Sequence, residues 1–304
     1  MTRFVLGRSL RGMVTLWAVV TIVFVVLRMS GDPAEVMLGA EASPEAIEAF
    51  RQSRGLNDPL PVQYGQYLVN VLQGDFGDSL KDRRPALEVF RSRIGATLEL
   101  GLAAVVIAVV IGLPLGILAA LRRNSVWDRT AMAVAFIGQS APNFFVGILL
   151  ILFLSLQLNV LPSSGRGSWQ QLVMPAFTLA TGLLAGLARM SRSSLLEVVR
   201  QDYVRTARSK GLSNRSVVLG HCLRNAAIPV VTLFGLSVGA LIGGAAITET
   251  VFAWPGVGRL AVNSVSSRDY PVIQLIVIVI AASVVVTNLL IDIAYGLLDP
   301  RVRG

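Results

Sequence analysis

Leu98 to Leu121 reads LELGLAAVVIAVVIGLPLGILAAL, and after Glu99 it continues to its end without a charged residue. A helix needs about 20 such residues to cross the hydrocarbon of a bilayer, where backbone polar groups find no water and must bond within the helix. Five further blocks are mainly apolar in the same way: Gly12–Leu27, Thr130–Leu156, Leu172–Ala188, Ile228–Thr248 and Val272–Leu297. In chain order the third holds Pro142 and Asn143 near its middle; it is expected to be one kinked span, because its charge-free length is too short for two. The fourth, Leu172–Ala188, is short and calls for completion by residues beyond Arg189. The chain of 304 residues is 54% hydrophobic and only 15% charged, where soluble domains carry about 25% charged residues. The fold class that follows is an all-α membrane protein with six transmembrane helices.

Arg3, Arg8 and Arg11 precede the first block as they would in a secretory leader, but Arg28 and Asp32 follow Leu27 where small residues would mark a cleavage site. The block is therefore expected to be a retained anchor. Six spans put both termini on one side. Assigning the N-terminus, Arg122–Arg129, Arg189–Ala227 and the C-terminus to the inside gives that side 16 basic and five acidic residues, a net +11. The other side keeps 11 basic and 13 acidic residues, a net −2, and together they recover the whole-chain +9. Basic residues flank spans on the cytoplasmic side, so both termini are expected in the cytoplasm. The same arginines then lie against anionic lipid, which accounts for the basic balance with no nucleic-acid partner.

Two hydrophilic segments interrupt the spans. In the outer one, roughly Met29–Ala96, Ser43 can cap a helix, Pro44 fits its first turn and Gly55 can end it. Tyr64, Tyr67, Leu68, Val71 and Leu72 then share a helical face suited to packing on the bundle or lying along the interface. The inner segment is Arg189–Ala227. Residues 1–96 are accordingly expected to form an N-terminal helix with an extracytoplasmic segment, and residues 97–304 a five-helix core carrying the inner loop 189–227.

The chemistry the chain lacks narrows its function. The single His221 and single Cys222 exclude a multi-histidine metal site, a zinc cluster and an internal disulfide framework, and no Ser-His pair, paired aspartates or His-Glu-x-x-His motif supports an intramembrane protease. A phosphate-binding P-loop needs a lysine preceded by glycine, and neither Lys81 nor Lys210 qualifies. Any nucleotide-driven work must be done by a partner. Glu99, Arg189, Glu249 and Asp292 would be candidates for an ion-coupled carrier, but each falls near a span end, where solvation or a helix-end partner is the ordinary explanation. The spacings Gly112-x-x-x-Gly116, Gly182-x-x-x-Gly186 and Gly235-x-x-x-Gly239-x-x-x-Gly243 let helices approach closely, as in any packed polytopic bundle.

Within the inner segment, residues 193–227 read SSLLEVVRQDYVRTARSKGLSNRSVVLGHCLRNAA. Ser194 with Glu197 has the pattern of a capping box, Gly211 is placed to end a helix in a left-handed turn after Lys210, and Ser213 can cap the next helix. The expected product is a helix-glycine-helix elbow whose exposed face carries Arg205, Arg208 and Lys210 beside small Thr206 and Ala207. Such a face suits another protein's groove, while on physics alone an amphipathic loop on the membrane surface is slightly favoured.

These residues resemble the cytoplasmic signature loop of bacterial ABC-importer permeases, usually described as Glu-Ala-Ala, three residues, then Gly. Here the aligned positions are Arg205-Thr206-Ala207 and Gly211, a variant similar to the dipeptide, oligopeptide and nickel branch. The likeness extends in order along the chain: Gly31-Asp32-Pro33-Ala34, the GDFGDSL of Gly74–Leu80, the ATLEL of Ala96–Leu100, and the LPSSG of Leu161–Gly165. It continues through the ETVFAWPGVG of Glu249–Gly258, the RDYP of Arg268–Pro271 and the final Asp299-Pro300-Arg301. The resemblance, closest to the B-type subunit of peptide permeases, implies a type I importer permease fold in the bacterial inner membrane. It implies partners as well: a second homologous permease, two ABC ATPases that bind the ATP and Mg, and an extracytoplasmic solute-binding protein. Asp202, Tyr203, Arg205, Thr206, Ala207, Arg208, Lys210, Gly211 and Leu212 would then form the coupling contact with one ATPase. The chain would be a transport subunit rather than an enzyme, with a secondary carrier or channel for a small solute as the rival. Di- or oligopeptides are the implied solutes, and nickel, glutathione, opines and sugars stay open.

Overall fold

A computed structural model describes the backbone of residues 2–29, 33–39, 42–53 and 55–298, but not the side chains at 2–5, 33, 36, 37, 215, 236, 238–244, 290–292 and 294–298. Contacts divide the chain into two units, Met1–Gly95 with Leu260–Leu289, and Ala96–Arg259 with Leu290–Gly304. In chain order the helices are α1 (Thr2–Met29), α2 (Pro33–Leu38), α3 (Pro44–Ser53), α4 (Leu60–Gln73), α5 (Ala86–Leu121), α6 (Val126–Ser140) and α7 (Asn143–Leu150). They continue as α8 (Trp169–Val198), α9 (Asp202–Ser209), α10 (Asn214–Ser216), α11 (Leu223–Val251), α12 (Val257–Ser266) and α13 (Tyr270–Leu298). A π-helical turn extends α7 over Ile151–Gln157, and another joins α10 to α11 over Val217–Cys222.

In the first unit, local sequence sets the ends of the short helices. Ser43 Oγ accepts the Ala46 amide at 3.2 Å, Pro44 opens α3, and Gly55 follows it at φ +62°. The expected stripe of α4 packs on α1: the Tyr64 hydroxyl and Thr21 Oγ1 are 2.6 Å apart, and Phe24 lies edge-on to Tyr64 with centroids 5.2 Å apart. Leu72 departs from that stripe and is 87% exposed, at the stripe's edge in the last turn before Gly74. The stretch Leu260–Leu289 belongs with this unit because Asp269 and Gln274 are tied to the loop after α4. Asp269 Oδ2 accepts from Ser79 Oγ at 2.5 Å, and Gln274 Nε2 donates to the Phe76 carbonyl at 2.8 Å.

The second unit is built around α8. Its buried face, with Ala176, Leu179, Ala180, Leu183 and Leu187, meets Leu100, Ala104 and Ala108 of α5 and Val230 of α11. A core so rich in alanine lets helix backbones approach, which is how helices associate where lipid is as apolar as their side chains. Gly112 and Gly116 show the limit of that approach: a Cβ at Gly112 would lie 2.8 Å from the Leu184 carbonyl oxygen, and one at Gly116 would overlap that of Ala188. In contrast, Gly182 has open space where a Cβ would be, so the second spacing does no comparable work at that position. Surroundings of Gly239 and Gly243 lie outside the described residues.

Among the described residues, five helices are long and apolar enough to span a membrane, and a sixth is reached if the bent pair Val126–Ser140 and Asn143–Gln157 is one broken span. α8 is the fourth of the blocks expected from sequence, completed by residues beyond Arg189 as anticipated. Its brevity in the sequence has a physical cause, for 61% of its apolar window is buried in protein and needs no lipid-facing side chains. The Pro142 region is a break and not the expected kink: α6 and the helix from Asn143 to Gln157 meet at 108°. Proline disfavours helical geometry in the residue before it, and both Ala141 (ψ 130°) and Pro142 (ψ 135°) are extended.

Candidate functional site

The elbow begins where α8 ends. Ser194 does not cap a new helix as expected; it is buried inside α8, which continues to Val198 with no proline or glycine between Gly186 and that point to interrupt it. The chain turns through Val199, Arg200 and Gln201, and α9 starts at Asp202. Gly211 then takes φ +83° and its amide donates to the Arg208 carbonyl at 2.9 Å, the left-handed stop expected of it. Ser213 Oγ accepts the Ser216 amide at 3.3 Å, so the next helix is capped as the sequence implied.

Two side chains one turn apart seat α9. Val204 is fully buried and Ala207 nearly so, in a cluster with Ala120, Leu195, Val217, Cys222 and Ala226. This corrects the sequence reading of Ala207, which faces inward and supports the helix; with only a methyl group it lets α9 sit close on its neighbours. The other sites stay outside. Asp202, Tyr203, Arg205, Thr206, Arg208, Lys210, Gly211 and Leu212 are all exposed. Two of them are also tied locally: the Tyr203 hydroxyl accepts from Asn225 Nδ2 at 2.8 Å, and Arg208 Nη2 donates to Asn214 Oδ1 at 3.4 Å. The ion pair of Arg205 with Asp202 is 3.7 Å long and almost fully exposed, which leaves both groups available to a partner. The result is a short helix anchored on one side, with three cations on the rest of its surface and its end.

Three buried polar arrangements lie each within one unit, and of their central carboxylates the sequence singles out only Glu249, as a span-end charge. Asp128, 2% exposed, receives a forked pair from Arg192 at 2.5 and 2.8 Å and the Asn124 amide at 2.9 Å, tying the start of α6 to α8. Fully buried Glu249, near the end of α11, accepts from Thr97 Oγ1 at 2.7 Å and from the Arg259 amide at 2.9 Å. That threonine oxygen also accepts the Val257 amide at 2.8 Å, and the neighbouring Trp254 Nε1 donates to the Ala96 carbonyl at 2.8 Å. A Cβ on Gly256 would overlap the Glu249 carboxylate, and one on Gly258 the backbone of Ala246. The third arrangement is the Asp269 knot of the first unit. The resembling strings were the available signal, since GDFGDSL and RDYP meet at Asp269 while ATLEL and ETVFAWPGVG meet at Glu249.

Of the span-end charges, Glu99 pairs with Arg166 at 2.6 Å and Glu249 has the buried donors just described, while Arg189 is exposed. The Asp292 side chain lies outside the described residues, as do Gly31, Asp32 and Asp299-Pro300-Arg301.

Residues 112–304 match the family described as binding-protein-dependent transport system inner membrane component, and residues 1–101 match that family's N-terminal component. The glutathione transport system permease protein GsiC of Escherichia coli (strain K12) is 44% identical over 304 residues, covering 100% of this chain and 99% of that protein. The protein of the same name from Salmonella typhi matches to the same extent. Among solved structures, the inward-facing MetNI methionine ABC transporter aligns with a TM-score of 0.54 at 21% identity, over 67% of this chain and 95% of that one. An amino acid ABC transporter solved with histidines aligns at 0.53 and 19% identity, over 68% and 92%. At those identities the two structures speak for the fold, which is that of ABC importer membrane subunits, and the sequence matches speak for descent. The chain belongs to the binding-protein-dependent transport system inner-membrane components: it is an ABC-importer permease of the peptide branch, a multi-pass transport subunit and not a secondary carrier or an enzyme.

Proposed function

We propose that this chain lines half of an import path for di- or oligopeptides, pairs with a second homologous permease, and takes its motion from one of two cytoplasmic ATPases through α9. The observation that carries the reading is the construction of the elbow. A chain without a phosphate-binding loop must receive nucleotide-driven motion from outside, and α9 offers a firm seat through Val204 and Ala207 with Arg205, Arg208 and Lys210 displayed beyond it. The two exposed apolar side chains, Tyr203 at 42% and Leu212 at 41%, add area that a groove could cover. Closure of the ATPase pair displaces the elbow, and α8 and α11, continuous with it on either side, rock between outward-open and inward-open arrangements. The charge asymmetry supports cytoplasmic termini and a cytoplasmic elbow. An extracytoplasmic solute-binding protein would select the cargo. The peptide class is supported by the branch of the family, and glutathione, itself a tripeptide, is the solute named for the 44% identical relatives.

Reconstitution tests this directly: uptake of a labelled peptide by the chain with its partner permease, ATPases and binding protein should require ATP and every subunit. Gradient-driven uptake by this chain alone would overturn the reading. Sidedness needs an introduced label, because Cys222 is fully buried. Lys210→Cys in a Cys222→Ala background should resist an impermeant thiol reagent in intact cells, and labelling there would put the elbow on the wrong side.

A further inference from the structure

The bent pair Val126–Ser140 and Asn143–Gln157 is held by α8 at two widely separated points. Asp128, in the first turn of α6, takes its forked pair from Arg192 near the end of α8. The loop that follows the pair returns to the start of α8, where Gln171 Nε2 donates to the Ser164 carbonyl at 3.0 Å. At about 1.5 Å per residue, Gln171 and Arg192 are about 31 Å apart along the helix, close to the ~30 Å of a hydrocarbon core. A chain that starts at one end of α8 and finishes at the other has crossed, whereas a re-entrant loop comes back to its own side. The break falls in the middle of that crossing. Asn143 Oδ1 lies 3.4 Å from Thr181 Oγ1, and Thr181 is midway between Gln171 and Arg192.

Mid-depth is where open polar groups cost most, and this break gathers several. Ala141 and Pro142 are extended, and Pro142 has no amide hydrogen to return to the Gly138 carbonyl. Gly147, one turn beyond Asn143, closes on Thr178 of α8 and Phe252, so that side of the break is covered. Gln139 and Ser140 are exposed, and Asn143 is half-buried. Among the described residues no hydrogen bond reaches the Gln139 carboxamide, the Ser140 hydroxyl or the Asn143 side-chain nitrogen. Irregular backbone at membrane depth survives only inside protein or along water, and lipid would leave every one of these groups unpaired. All of them are neutral, and each carboxamide both donates and accepts, which complements a peptide bond better than a metal ion or a free carboxylate. We propose that Val126–Gln157 is one broken span whose break lines the import path, with Gln139, Ser140 and Asn143 meeting the backbone amides of the passing peptide. This rests on the proposed function and adds the groups that touch the solute. Because they read backbone, they admit peptides of differing side chains.

The test uses the reconstituted assembly of this chain with its partner permease, ATPases and binding protein, and single cysteines in a Cys222→Ala background. Gln139→Cys and Ser140→Cys should each react with a small charged methanethiosulfonate in the nucleotide-free or the ATP-bound state, and a transported peptide should protect both. Two positions keep the test open should one cysteine prevent assembly. Gln139→Leu, which keeps bulk and loses the amide, should lower peptide uptake per ATP about fivefold while the subunits still assemble. Cysteines unreactive in both states would place the break against lipid or a dry permease interface and overturn the proposal. Reactive cysteines that peptide does not protect, or unchanged uptake in Gln139→Leu, would overturn it too. Peptide uptake with both cysteines unreactive would sink this inference alone; the absence of ATP-driven peptide uptake by the unsubstituted assembly is the separate result that would sink the proposed function.

Discussion

The Glu249 knot and the α9 elbow lie in the same unit and are held by opposite means. Glu249 is a fully buried carboxylate with fixed donors around it, and glycine at 256 is required simply to leave it room. α9 is held by one valine and one alanine, and nearly every polar group on it faces outward. A closed polar network resists deformation, because moving any member strands a buried donor or acceptor. A small apolar seat fixes a helix's position while leaving its surface free for a partner. The contrast assigns rigidity to the knot and force reception to the elbow.

The sharpest way to break that contrast is to remove its most buried group. Glu249→Ala strands the Thr97 hydroxyl and the Arg259 amide, and should cost roughly 3 kcal/mol, seen as a clear drop in thermal unfolding temperature of the purified chain. Gly256→Ala drives a methyl group into the carboxylate and should cost about 1–3 kcal/mol by the same measurement. Val204→Ala removes the deepest anchor of the elbow, at about 2 kcal/mol, and should lower uptake more than it lowers ATPase assembly. Arg205→Glu touches nothing buried and should shift stability by no more than about 0.5 kcal/mol, yet weaken ATPase association about tenfold in a pull-down titration. Should Arg205→Glu destabilise the chain as much as Glu249→Ala, the division between brace and receiver fails.

How much of this could be read in the residues depends on how local each feature is. Apolar length marks spans one at a time, so α1, α5 and α13 were plain, while α8 was marginal because protein and not lipid surrounds it. Gly211, Ser213 and Ser43 were legible because a cap or a left-handed turn is decided by a few neighbours. Ser194 misled for the same reason: a capping pattern exists wherever its letters fall, and only the continuity of α8 shows that this one is unused. Ala207 looked like part of a docking face because spacing alone does not say which side of an eight-residue helix is covered. The break at Pro142 exceeded expectation, since two consecutive extended residues turn a chain much further than one missing hydrogen bond. Pairings across long stretches of chain, such as Thr97 with Glu249 or Ser79 with Asp269, had no local signature, and only the ordered strings hinted that these segments matter.

Coupling through the elbow is the central claim, and the ratio of peptide imported to ATP hydrolysed in the reconstituted assembly measures it most directly. Gly211 holds φ +83° with nothing within 4 Å of the position of a Cβ, so the main effect of valine there is backbone strain of about 1–2 kcal/mol. Gly211→Val should therefore insert and assemble, hydrolyse ATP, and lose at least about tenfold in that ratio. An assembled Gly211→Val complex with an unchanged ratio would contradict the account.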